Sequence, residues 1–232
     1  MMMGQDIFGV GPDGAEAILL TVQVAVVGVV ASLPIGIALA LLLARANFRG
    51  KMLVDGLVHL PLVLPPVVVG YLLLEAFLPT GPIGAPLREW FGLSVLFHWT
   101  GAAIAAAVMG LPLMVRTIRL SIEGLDPRIE HAARSLGGGR WHVFRTITLP
   151  MVMPGVAAGT ALSFARSLGE FGATITFVSN IPGETRTLPI AIYSLLQMPG
   201  TEAEVMRLSI VSIILSLGAL LLAEWLAKRR TA

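Results

Sequence analysis

Thr160, Ser163, Ser167, Glu170 and Thr174 recur at steps of +3, +4, +3 and +4 inside an otherwise apolar stretch. At about 100° per residue a helix sets all five within one narrow stripe, with Arg166 at its edge. A charge near the centre of a membrane helix costs about 2.5–3.5 kcal/mol on insertion scales, so this face should meet protein or water rather than lipid. Ionisable groups at membrane depth are candidates for a functional role. Here that role is a route for a polar solute, lined by hydroxyls, with Arg166 attracting an anion. Two blander readings stay open beside it. Arg166 and Glu170, at i and i+4, can neutralise each other, and a hydroxyl stripe can be a helix–helix contact.

Nothing else has the spacing of a catalytic or metal site. His59, His98, His131 and His142 are scattered, and neither H-E-x-x-H nor G-x-S-x-G occurs. The chain has no cysteine, which excludes disulfides, thiolate metal ligation and thiol catalysis. No catalytic residue, metal or cofactor is therefore expected. The phosphate loop G-x-x-x-x-G-K-[ST] is also missing, so ATP hydrolysis by that route is not expected of this chain.

A second constellation lies in DPRIEHAARSLGGGRWHVFRTITLP, residues 126–150. Asp126 and Pro127 read as the N-cap and first position of a helix. Ile129, Ala132, Ala133 and Leu136 follow at i, i+3, i+4 and i+7, which is one apolar face. Gly137, Gly138 and Gly139 end the helix, because glycine enters the left-handed C-cap conformation without strain. A second short helix over 140–148 then runs into Leu149 and Pro150. The result is a helix–turn–helix elbow whose small residues let a partner approach closely. Periodicity alone does not separate a docked helix from one lying on anionic lipid or from an unpartnered surface elbow.

These constellations need elements to hold them, and the composition says of what kind. Of 232 residues 56% are hydrophobic and 13% charged, and mean hydropathy is +0.84. A soluble domain of this size could not bury so much apolar surface, so the bilayer must be its solvent. A bilayer core takes about 20 apolar residues of helix. Five stretches qualify, at about 18–44, 53–78, 95–115, 152–178 and 205–227. A sixth, 188–198, is too short to cross and reads as re-entrant or interfacial. Pro34, the group Pro61, Pro65 and Pro66, and Pro112 fall inside spans. Each frees a backbone carbonyl, and the crowded second span predicts a bend beside a pathway.

Charge orients the chain. Arg45, Arg49 and Lys51 follow the first span. Arg116, Arg119, Arg128, Arg134, Arg140 and Arg145 lie between the third and fourth, and Lys228, Arg229 and Arg230 follow the fifth. These are twelve of the sixteen basic residues. The positive-inside rule puts that side in the cytoplasm, with the C-terminus, and leaves the N-terminus with Asp6, Asp13 and Glu16 outside. The N-terminus has no basic region before its first apolar run, so the first span should be retained. Scattered in this way, the basic residues form no patch for nucleic acid.

The elbow resembles the cytoplasmic coupling loop of ABC importer permeases, whose pattern is E-A-A, three residues, G, nine residues, I-x-L-P. Ala132, Ala133, Gly137, Ile147, Leu149 and Pro150 fall on it. His131 stands where that family has Glu, and Glu130 comes one residue early. A narrower resemblance joins HLPLVLPPVVVGYLLL and FARSLGEFGATITFVSNIPGETRTLP to the membrane subunits of molybdate importers. Sulfate permeases share the core R-x-x-G-E-[FY]-G at residues 166–172. The resemblance implies an all-α integral membrane protein of the type I ABC importer permease fold, one domain over residues 1–232, with five transmembrane helices and a cytoplasmic coupling loop at 119–150. It implies an inner-membrane homodimer with one pathway on its two-fold axis. Two cytoplasmic ATP-binding subunits would grip the elbows through Asp126, Ile129, Glu130, His131, Ala132, Ala133, Leu136 and Gly137. A periplasmic oxyanion-binding protein would deliver molybdate, or tungstate or sulfate in the alternative, to the outer mouth. Lipid is the remaining partner.

Three other classes compete. A secondary transporter driven through Glu170 would work without an ATPase, but the arginine-rich elbow and the lack of an inverted repeat speak against it. A membrane enzyme would need a catalytic constellation. A purely structural subunit would have no use for the intramembrane charges.

Overall fold

The computed structural model describes residues 11–228, so Asp6, Arg229 and Arg230 lie outside the described residues. In chain order the helices are α1 (Pro12–Arg45), α2 (Lys51–Val63), α3 (Pro66–Phe77), α4 (Gly84–Phe91), α5 (Trp99–Glu123), α6 (Pro127–Ser135), α7 (Arg140–Val143), a π-helical turn (Phe144–Thr148), α8 (Leu149–Leu168), α9 (Gly172–Val178), α10 (Leu188–Leu195) and α11 (Glu202–Lys228). No strand occurs among the described residues.

Pro12 opens α1 with a preset φ and no amide to satisfy, and Asp13 sits at the positive end of the helix. Its 34 residues extend over roughly 51 Å, well beyond a hydrocarbon core of about 30 Å. Pro34 is accommodated inside it without a break. α5 is the central helix, packed by α1 and α8 along its length and by α9 near its start. Its face of Ala102, Ala105 and Ala106 is fully buried and lets neighbouring backbones come close. Towards the elbow the same helix buries Met114, Ile118 and Ile122 against Leu43 of α1 and Val152 and Val156 of α8. Gly110 sits where α5 meets α8, and a Cβ there would overlap the Ser163 hydroxyl.

α1, α5, the continuous helical run over residues 140–168 and α11 are each long and apolar enough to cross a membrane. A fifth crossing exists only if α2 and α3 count as one span, and these two are bent by 115° at their junction. The second expected span, 53–78, is therefore two helices. The cause is local: Pro66 cannot donate to the turn before it, and Pro65 biases Leu64 to the extended backbone it adopts.

The fourth expected span, 152–178, is likewise not one helix. α8 ends at Leu168, and the backbone leaves helical geometry through Gly169 and Phe171 before α9 begins. The third span lies further along than expected, so Arg116 and Arg119 belong to α5 itself. α10, with eight residues, covers about 12 Å and is too short to cross.

Candidate functional site

The elbow is built as its residues dictate. The Asp126 carboxylate accepts from the Arg128 amide at 2.9 Å, capping α6. Gly137 takes φ +90°, the left-handed turn that ends α6. The Gly138 amide then bonds back to the Ala133 carbonyl at 3.1 Å. No residue of α6 is buried. Ile129, His131, Ala132 and Leu136 are exposed, Leu136 to 89%, and Trp141 of α7 is exposed beside them. Ala133 is half-buried. α6 thus leaves an apolar face open on a cationic elbow.

Glu130 points the other way. Its side chain is 12% exposed, and Oε1 accepts from Arg45 Nη2 at 2.9 Å and from Thr148 Oγ1 at 2.7 Å. Arg134 Nη2 lies 3.8 Å from Oε2. One carboxylate thus ties α6 to the end of α1 and to the foot of α8. Glu130, and not the exposed His131, is the side chain that orders the loop. The sequence marked Arg45 only as a topology charge. Nothing local connects it, or the buried Thr148, to Glu130.

The hydroxyl stripe is mostly interior to the protomer. Ser163 is 0% exposed, and Ser167, Glu170 and Thr174 are also buried. Ser167 Oγ donates to the Ser163 carbonyl at 2.8 Å and comes within 3.3 Å of the Ala106 carbonyl of α5. Thr160, half-buried, donates to the Val156 carbonyl at 2.7 Å. Thr174 belongs to α9, so the helical spacing that placed it in the stripe ends at Glu170. Arg166 Nη1 and Glu170 Oε2 pair at 2.8 Å, and Glu170 Oε1 accepts from the Ala173 amide at 2.9 Å. Glu170 therefore holds the α8–α9 break together and neutralises Arg166 at once.

Two further groups escape a reading by spacing. Arg119 of α5 reaches Asp55 Oδ2 of α2 at 3.1 Å and Glu123 Oε1 at 2.8 Å, with His59 Nδ1 3.2 Å from Asp55 Oδ1. At the far end of α5 the loop 179–187 folds back on the helix start. There Glu184 Oε1 lies 2.8 Å from His98 Nδ1 and 3.4 Å from the Trp99 amide. The His98 hydrogen bond, with the Trp99 amide behind it, holds the Glu184 carboxyl below its ordinary value. Among the described residues no group of His, Asp or Glu is placed to hold a metal ion.

The family described as "Binding-protein-dependent transport system inner membrane component" matches residues 32–232. The molybdenum transport system permease protein ModB of Escherichia coli (strain K12) is 60% identical over 213 residues, covering 92% of this chain and 93% of that protein. The sulfate transport system permease protein CysT of the same organism is 40% identical over 190 residues, covering 81% of this chain and 66% of that one. The crystal structure of a bacterial ABC transporter involved in the import of the acidic polysaccharide alginate superposes with a TM-score of 0.74 at 20% identity, over 100% of this chain and 85% of that one. At that identity the likeness is one of fold.

Proposed function

The chain belongs to the family of binding-protein-dependent transport system inner membrane components, and on that premise we propose that it is the membrane-spanning subunit through which an ATP-driven importer carries molybdate into the cytoplasm. Identity of 60% to a molybdenum permease, against 40% to a sulfate permease, supports molybdate over sulfate as the solute. Two copies enclose one route on a two-fold axis. The N-terminus is outside and the elbow and C-terminus are cytoplasmic, a reading that the distribution of basic residues supports. A separate ATP-binding subunit docks on each elbow and hydrolyses the nucleotide. A periplasmic binding protein brings the oxyanion to the opposite face.

The observation that carries this reading is the two-sidedness of α6. Its outer side offers Ile129, Ala132 and Leu136, flanked by Asp126, His131, Ala133 and Gly137, to the ATP-binding subunit. Its inner side is fastened through Glu130 to α1 and α8. A helix held that way passes a push from its docked face into two membrane helices instead of yielding alone. Within the route, Thr160 and Arg166 are the stripe members that retain exposure and can meet a solute. Ser163, Ser167, Glu170 and Thr174 hold the wall behind them.

Reconstitution in vesicles with the ATP-binding subunit and the binding protein tests the reading. Uptake should require ATP and should favour molybdate over sulfate at equal concentration. Uptake that proceeds equally without ATP would overturn it in favour of an ion-coupled carrier.

A further inference from the structure

A doubly charged oxyanion entering a protein route needs a cationic donor whose charge is not already spent. Apart from the arginines at the elbow end of the bundle, Arg116 and Arg119 of α5 among them, four remain: Arg88, Arg166, Arg186 and Arg207. Arg166 is paired with Glu170 at 2.8 Å, and Arg207 has an interaction partner of its own. Arg88 is exposed on α4, and no side-chain hydrogen bond orients it among the described residues.

Arg186 differs from all three. Its Nε donates to Asn180 Oδ1 at 2.8 Å. Arginine only donates, so Asn180 must present its oxygen there and its Nδ2 elsewhere. Nδ2 donates to Ser194 Oγ at 2.8 Å, and that hydroxyl donates onward to the Ile190 carbonyl at 2.8 Å. This relay fixes the plane of the guanidinium. Among the described residues neither Nη group has a protein acceptor and no carboxylate pairs with the group. The one acid of the loop, Glu184, is turned to His98 and the Trp99 amide.

The loop that carries Arg186 is itself braced. Thr185 Oγ1 accepts from the Ile181 amide at 2.9 Å and donates to the Ser179 carbonyl at 3.1 Å. The Leu188 amide donates to Thr21 Oγ1 of α1 at 2.7 Å. The relay ends beside Tyr193, whose ring packs on Phe171 at 5.0 Å. Phe171 lies at the α8–α9 break, next to Glu170 of the ion pair. The 25 residues of α5 separate this end of the bundle from the elbow by roughly 37 Å.

We propose that Arg186, held by Asn180 and Ser194, is the group that receives a tetrahedral divalent oxyanion at the end of the bundle away from the elbow. It binds through its two free Nη groups, as a planar fork matches two oxygens of such an anion. This rests on the transport reading above and adds the residue at which the solute first meets this chain.

The test uses the complete complex in vesicles, with radiolabelled molybdate on its binding protein at saturating concentration. R186Q should lower ATP-dependent uptake about tenfold or more. R186K should retain part of it, since it keeps the charge and loses the fork. N180A should fall between wild type and R186Q, because the charge stays while its orientation is lost. Docking of the loaded binding protein, measured separately, should change less than about twofold, against the tenfold that one lost charged contact would give. Wild-type uptake matched by R186Q would overturn the proposal. So would a fall in docking that accounts for the whole loss, because Arg186 would then grip the binding protein and not the anion. A wild-type complex with no ATP-dependent uptake would remove the transport reading and this one together.

Discussion

Glu130 in α6 and Arg45 at the end of α1 are joined by a 2.9 Å ion pair across 85 positions of sequence. The carboxylate is largely buried and shares a second bond with Thr148, so it is not a solvated surface pair. Replacing Glu130 by Gln keeps the shape and removes the charge. E130Q should cost about 1–3 kcal/mol of local stability and lower transport per ATP hydrolysed, while the ATP-binding subunit still co-purifies. R45Q should act alike, and the double variant should be clearly less harmful than the sum of the singles. Additive losses in that cycle would show that the two residues do not work as one strut.

The close seam between α5 and α8 yields a second expectation. No space exists for a Cβ on Gly110 without displacing Ser163. G110A should therefore force the two helices apart and destabilise the protein by about 1–3 kcal/mol, read as a lower thermal midpoint in detergent. An unchanged midpoint would mean that the seam is looser than its geometry.

Ser163 Oγ is buried and has no hydrogen-bond partner among the described residues. Removing such a group relieves a desolvation cost instead of breaking a bond. S163A should leave stability equal or slightly raised and leave uptake intact. A marked loss of uptake in S163A would return this hydroxyl to the solute route.

That contrast shows what the residues declared and what they did not. The elbow was legible because every step is local: Asp126 caps, the apolar face repeats, and glycine turns the chain. The stripe at Thr160, Ser163, Ser167 and Glu170 was legible as a stripe for the same reason. Which helix it faces is a long-range fact that periodicity does not hold, and α5 claims most of it. Thr174 fell out because Glu170 serves the α8–α9 break, a competing use for a residue that spacing alone assigned to one helix. The second span was legible as bent from its prolines, but neither the 115° angle nor the packing of α3 on α9 can be read from them. The partnership of Glu130 with Arg45 and that of Arg186 with Asn180 both depend on side chains brought together by the loops.

The loop carrying Arg186 should respond to acid. Glu184 lies below its ordinary value of 4.5 because it accepts from His98 and from the Trp99 amide. A carboxylate depressed in the folded state contributes its stabilisation in full above the unfolded value and loses it as pH falls through the folded value. Amide protection in residues 179–187, corrected for the intrinsic pH dependence of exchange, should therefore stay constant above about pH 4.5 and fall only in stronger acid. E184Q should raise exchange at neutral pH and abolish that acid response. A loss of protection centred near neutrality would assign the switch to another group.

α2 is the least anchored of the membrane helices. It buries no residue, it turns sharply at its junction with α3, and its polar tie to the bundle is the 3.1 Å contact of Asp55 with Arg119. Asp55 is more than a third exposed, so solvent screens that pair and its global worth is below about 1 kcal/mol. D55N should hardly move the thermal midpoint, and Arg119 should keep its second partner, Glu123. The consequence should be local instead: amide exchange across residues 51–63 should accelerate several-fold while α5 stays protected, because only the hinged segment loses its restraint. Equal acceleration in α5 would mean that the ion pair supports the whole bundle. No change in either helix would mean that lipid or a second copy of the chain, packed on the exposed Met52, Leu53 and Val63, holds α2 without it.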